Sequence, residues 1–169
     1  FFYDLGTWFY TGAAYDGGQG YQGVTNVLKY ETTANYTYSR GDHTSAYCKG
    51  NVADPNRTMR SWIRNVLYLG SVYVAVYDRI EVLNSAHTKR LHWHMNPVSG
   101  APTVNGNLVT QTVKTSKLFL RTLFPASPTI VVVDNPVSGT NPTRVNYQVR
   151  VSDPATSTTN RILTVISAD

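Results

Sequence analysis

Cysteine is almost missing from this chain: Cys48 is the one thiol in 169 residues. A lone thiol excludes an intrachain disulfide and any multi-thiolate metal site. It sits in Tyr47-Cys48-Lys49, inside an expected strand, and its expected role is that of a small buried hydrophobe. Charge is sparse too, at 15% of residues. The basic residues are scattered, which excludes a nucleic-acid-binding arm, and the composition excludes a coiled coil. No apolar run approaches the ~20 residues of a membrane-spanning helix. The chain has no G-x-S-x-G, P-loop, H-E-x-x-H or dinucleotide fingerprint, so the common nucleophile, phosphate and zinc-protease signatures are all wanting. No signal peptide is visible and the sequence begins Phe1-Phe2-Tyr3 without Met. The expectation is a processed or fragmentary chain, 1–169 forming a single domain.

What is present is apolar and aromatic. Hydrophobic residues make up 41%, and there are 12 tyrosines. This is too apolar for disorder. Tyrosine, valine and threonine fit a pleated, half-buried surface. Fifteen Lys and Arg against ten Asp and Glu leave a formal charge of +5, suited to an acidic glycan or another anionic partner.

Short apolar or alternating runs recur between turn residues, the pattern of an all-β antiparallel two-sheet sandwich of roughly a dozen strands. Expected strands cover 24–32, 36–40, 44–49, 59–69 and 72–82, the last two hinged at Gly70-Ser71. In 72–82, Tyr73, Ala75 and Tyr77 face one way while Val74, Val76 and Asp78 face the other. A strand follows at 88–95. Asn105-Gly106-Asn107 marks a hairpin, because glycine readily supplies positive φ, with strands at 108–113 and 117–124. The continuous apolar run at 130–134 reads as a strand covered on both faces. The segments 144–151 and 161–166 read as a final antiparallel pair.

The middle of the chain carries an ordered series of segments. They are Gly41-Asp42-His43-Thr44-Ser45-Ala46-Tyr47, Arg64-Asn65-Val66-Leu67-Tyr68-Leu69 and Tyr73-Val74-Ala75-Val76-Tyr77-Asp78-Arg79-Ile80. Lys89-Arg90-Leu91-His92-Trp93-His94, Pro102-Thr103-Val104-Asn105-Gly106-Asn107 and Leu118-Phe119-Leu120-Arg121-Thr122-Leu123-Phe124-Pro125 follow. In order and spacing this series resembles the C-terminal β domain of heparinase II/III-like polysaccharide lyases. The resemblance implies a parent enzyme that joins an α/α toroid to a β-sandwich and cleaves uronic-acid glycans by β-elimination. Such chemistry needs the uronate carboxylate neutralised, a base for the C5 proton and an acid for the leaving oxygen. In the family these groups come largely from the toroid. The expected compartment is secreted, periplasmic or extracellular.

The resemblance also implies a zinc site. Phe2-Tyr3-Asp4-Leu5-Gly6 matches one of its elements, which would make Asp4 a ligand. Thr25, in Thr25-Asn26-Val27-Leu28, stands where the family has histidine, and the His-x-His-x-Asp element is missing. Threonine is a poor zinc ligand. The family site therefore reads as lost, and no cofactor is expected.

His92 and His94 are two apart on a strand and so share a face, with Trp93 opposite. They are metal candidates if His43, His87 or an Asp supplies a third ligand, and otherwise structural or glycan-facing. Trp8, Tyr15 and Tyr21, around a glycine-rich segment, are glycan-contact candidates because flat rings stack on sugar faces. Trp8, Trp62 and Trp93 fit the core as well. Asp78 and Arg79 read as a strand-end ion pair. The leading expectation is a non-catalytic sandwich module that supports or lines a glycan groove, partnered by a toroid domain. The alternatives are a secreted structural or adhesive subunit that self-assembles through strand edges, and a metal-dependent enzyme around His92 and His94.

Overall fold

The structure, a computed structural model, describes residues 25–47, 59–70, 72–96, 99–136 and 145–169. Alternating side chains build eleven strands: β1 (Asn26–Thr32), β2 (Tyr36–Asp42), β3 (Met59–Leu69), β4 (Tyr73–Val82), β5 (Arg90–His94) and β6 (Thr103–Asn105), then β7 (Leu108–Val113), β8 (Ser116–Phe124), β9 (Thr129–Pro136), β10 (Val145–Ser152) and β11 (Thr159–Ala168). They form an eight-stranded sheet in the order β1-β2-β3-β4-β11-β8-β7-β6 and a three-stranded sheet in the order β5-β10-β9. Every pairing is antiparallel. The all-β two-sheet expectation holds.

The apolar faces of the two sheets make one core. Met59, Trp62, Val76, Ile80, Val109, Leu120 and Ile162 come from the large sheet, and Leu91, Trp93, Val149 and Val151 from the small one. Trp62 and Trp93 are core residues, as their composition suggests. Each fully buried aliphatic side chain contributes about 1.5–3 kcal/mol. The alternation foreseen along β4 holds: Val76, Asp78, Ile80 and Val82 are buried while Arg79 between them is exposed. Turns match their chemistry. Gly70 (φ 54°) follows β3, and Gly106 (φ 58°) joins β6 to β7, both in the left-handed region that favours glycine. Lys114 (φ 56°) takes the same conformation in the turn between β7 and β8.

Three expectations are corrected. Residues 44–49 do not begin a strand, since Thr44–Tyr47 form a single 3-10 turn. The Asp42 carboxylate accepts both the Thr44 amide (2.9 Å) and the Thr44 hydroxyl (2.5 Å), and the Ala46 amide bonds the His43 carbonyl, so side-chain capping bends the chain out of the ladder. The segments 144–151 and 161–166 are not partners. β10 pairs with β5 and β9 in the small sheet, whereas β11 pairs with β4 and β8 in the large one, so the connection between them crosses layers. β9 is not covered on both faces either. It is an edge strand whose outward side leaves Val131 47% exposed while Ile130 and Val132 pack on the core. The expected strand around Cys48 lies partly outside the described residues.

Candidate functional site

The β3–β4 pair, inside the large sheet, holds a buried polar network. β3 and β4 run antiparallel about their turn, which sets Arg64 directly opposite Asp78. Both point inward. The Arg64 guanidinium makes a two-pronged contact with the Asp78 carboxylate, Nε to Oδ1 at 2.8 Å and a terminal nitrogen to Oδ2 at 3.0 Å. Trp62 Nε1 donates to the same Oδ1 at 2.8 Å. Asp78 is wholly buried and the Arg64 side chain is 7% exposed, and the guanidinium lies over the indole at 4.9 Å. The expected Asp78–Arg79 pair is thus corrected. Adjacent strand residues face opposite sides, so Asp78 meets Arg64 inside and Arg79 is left outside.

The network reaches the surface through the 3-10 turn. Thr44 Oγ1, while donating to Asp42, accepts the Trp62 amide at 3.0 Å. The His43 amide bonds the Trp62 carbonyl, and the His43 ring lies 4.5 Å from the Trp62 ring. Burial, and then the positive Arg64, hold the His43 imidazole below its usual pKa, against the opposing pull of Asp78 and Asp42. His43 therefore favours the neutral form. Gly41 makes room for it, since a Cβ there would stand 2.8 Å from His43 Nε2. His43 and Arg64 help to line a groove of about 400 Å³ whose floor is Val66, Val74, Val76 and Ile166. Sequence reasoning treated His43 as no more than a third-ligand candidate and missed Arg64. The signal was there, in two runs folding back about Gly70-Ser71.

Thr25, at the family's histidine position, is exposed, and its hydroxyl meets His43 Nδ1 at 3.3 Å. Its partner in the expected zinc site, Asp4, lies outside the described residues, as do Trp8, Tyr15 and Tyr21. A threonine hydroxyl engaged with an imidazole is a poor zinc ligand.

His92 and His94 fall on β5 as expected, with Trp93 turned into the core between them. Their environments differ. His92 is buried opposite Arg150, and His94 is exposed opposite Gln148. Desolvation by its neighbours nevertheless lowers the His94 pKa. The loop after β5 is clamped to β7 by Gln111, which accepts the Asn96 amide (3.0 Å) and donates to the carbonyls of Asn96 (3.1 Å) and Gly100 (2.9 Å). Neither His43 nor His87 joins the β5 pair, because among the described residues no three of His, Cys, Asp and Glu gather as a metal site. Among these residues no helix is long and apolar enough to cross a membrane.

No family model matches the chain, nor does any curated protein sequence. Solved structures do. Heparan sulfate lyase HepC from Pedobacter heparinus aligns with a TM-score of 0.66 and 17% identity, over 85% of this chain and 21% of the lyase. One heparinase III structure aligns with a TM-score of 0.66 and 14% identity over 86% of this chain, and another with 0.60 and 15% over 85%. In both cases 21% of the heparinase is covered. The chain therefore shares its fold with a part of these proteins about one-fifth of their length.

Proposed function

We propose that this chain is the non-catalytic β-sandwich module of an extracellular or periplasmic polysaccharide lyase, supporting or lining a groove for a uronic-acid glycan. The observation that carries the reading is the fold match, which takes in 85% of this chain and 21% of HepC. The implied partner is an α/α-toroid domain of the parent chain, which would supply most of the base, acid and carboxylate-neutralising groups of β-elimination. Thr25 in place of histidine supports a module without zinc. The expected result is no unsaturated product, read by ultraviolet absorbance, when the isolated chain meets alginate, heparan sulfate or chondroitin sulfate. Product formation overturns the non-catalytic reading. Stoichiometric zinc in protein purified at neutral pH overturns the metal-free one, and would revive a centre at His92 and His94.

A second reading, a self-assembling secreted subunit, draws on β1. Among the described residues this strand forms an edge of the large sheet, with Val27 73%, Leu28 50% and Tyr30 65% exposed. Unprotected apolar edges template further strands. Sizing chromatography decides between the two: a monomer at micromolar concentration removes the assembly reading, and large oligomers favour it.

A further inference from the structure

The outer face of the large sheet carries two arginines set directly against each other. Arg79 on β4 and Arg161 on β11 are cross-strand partners, with Cα atoms about 5 Å apart. Both alternate with buried neighbours, Asp78 and Ile80 around one, Asn160 and Ile162 around the other, so both side chains leave the sheet on the solvent side. Among the described residues neither guanidinium has an ion pair or a hydrogen-bond partner. Like charges directly opposed on neighbouring strands work against the sheet. Two carboxylates near Arg79 in the ladder are already engaged. Glu81, two residues along β4, is held by Arg60 at 2.9 Å. Asp42, across β3 from Arg79, caps Thr44.

The surroundings suit a sugar. Tyr77, half-buried and one step along the same face, lies diagonal to Arg161, and its cross-strand partner is Leu163. Leu163 in turn pairs with Phe124, which is 47% exposed. β8 ends at Phe124, so its ladder pairs no residue with Arg161. Flat aromatic and apolar surface beside two planar guanidinium forks is the arrangement that stacks a pyranose ring and grips its anionic substituent.

We propose that Arg79 and Arg161, with Tyr77 beside them, form an anion-binding site for the carboxylate or sulfate groups of an acidic glycan. The proposal rests on the reading that the module serves a uronic-acid polysaccharide, and it places a contact surface on the sheet face away from the core and from the His43 groove. The glycan's charge supplies what the fold leaves out, bridging two cations that otherwise repel.

The test is isothermal titration of the chain with heparin oligosaccharides, with oligogalacturonate and with neutral dextran. Wild type is expected to bind both anionic probes and not dextran. Preference for heparin assigns the site to sulfate, and equal binding assigns it to carboxylate. The double variant Arg79→Gln with Arg161→Gln should raise the dissociation constant by about tenfold or more. Lys114→Gln with Lys117→Gln, which removes the same charge at the β7–β8 turn, should leave it unchanged. Arg161→Glu guards against simple loss of folding. It turns the repulsive pair into an attractive one, so the melting temperature should rise by about 1–3 °C while binding falls. Wild-type binding that survives the double arginine variant overturns the site and leaves the glycan reading standing. No binding of either anionic probe by wild type overturns both.

Discussion

Replacing Arg64 with methionine tests whether the buried network organises the β3–β4 pair. Asp78 has no exposed surface, and three hydrogen bonds reach its carboxylate, two of them from Arg64. Arg64→Met keeps the aliphatic stem that crosses the Trp62 ring but removes both of those donors. The charge that remains is left with one bond, from the indole. Breaking a buried pair from one side costs about 3–5 kcal/mol, because the surviving ion is neither hydrated nor neutralised. For a domain of this size that is a fall in melting temperature of roughly 6–20 °C, and a large part of a total stability of about 5–15 kcal/mol. The second arm is the double variant Arg64→Met with Asp78→Asn. It removes the stranded charge yet keeps an acceptor for Trp62, so it should recover at least half of the loss. Urea denaturation followed by Trp fluorescence measures both. A single variant that costs less than about 1 kcal/mol, the worth of an ordinary surface pair, refutes the assignment.

Three further outcomes are expected. Since the folded state holds His43 below its ordinary value, the unfolded chain takes up a proton near pH ~6.5 that the folded chain resists. Stability should therefore fall as pH drops from about 6.5 towards the lowered folded value, and His43→Phe should flatten that slope when denaturation midpoints are compared across the window; an unchanged slope counts against it. Gly41→Ala sets a Cβ 2.8 Å from an imidazole already seated on Trp62, so a loss of about 1–3 kcal/mol with altered Trp fluorescence is expected, and a neutral result would show that the ring moves freely. The Thr164 and Thr122 hydroxyls are buried cross-strand neighbours without hydrogen-bond partners among the described residues, so Thr164→Val should stabilise by about 1 kcal/mol in thermal melts, and a clear loss would point to a bridging water.

Much of the sheet was legible because strands announce themselves locally. The alternation of Val74, Val76, Asp78 and Ile80 needs no partner to be seen, and Gly106 marks its turn by its own backbone freedom. Even the Arg64–Asp78 contact follows from sequence once 59–69 and 72–82 are folded back about Ser71, since residues equidistant from a turn meet. The misreading of 144–151 and 161–166 has the opposite origin. Two neighbouring strands joined by a short polar segment look alike whether they share a sheet or face each other across a core. What decides is which inner face each one buries, and that depends on strands far away in the chain. The Arg79–Arg161 pair was invisible for the same reason. Asp78-Arg79 invited a local reading, whereas the partner that matters arrives on β11.

That strand has a consequence for how the molecule comes together. β1 to β4 form one run of neighbouring strands and β8, β7 and β6 another, and the large sheet joins them only through β11. Until β11 inserts, the sheet is two separate ribbons, each with a raw edge, β4 on one and β8 on the other. Both ribbons can zip up from short-range contacts, but the seam between them closes only on β11, which follows all the other described strands. Closing the longest sequence separations at the end makes assembly slow and late. The eight-stranded sheet is completed at its middle, not at its rim.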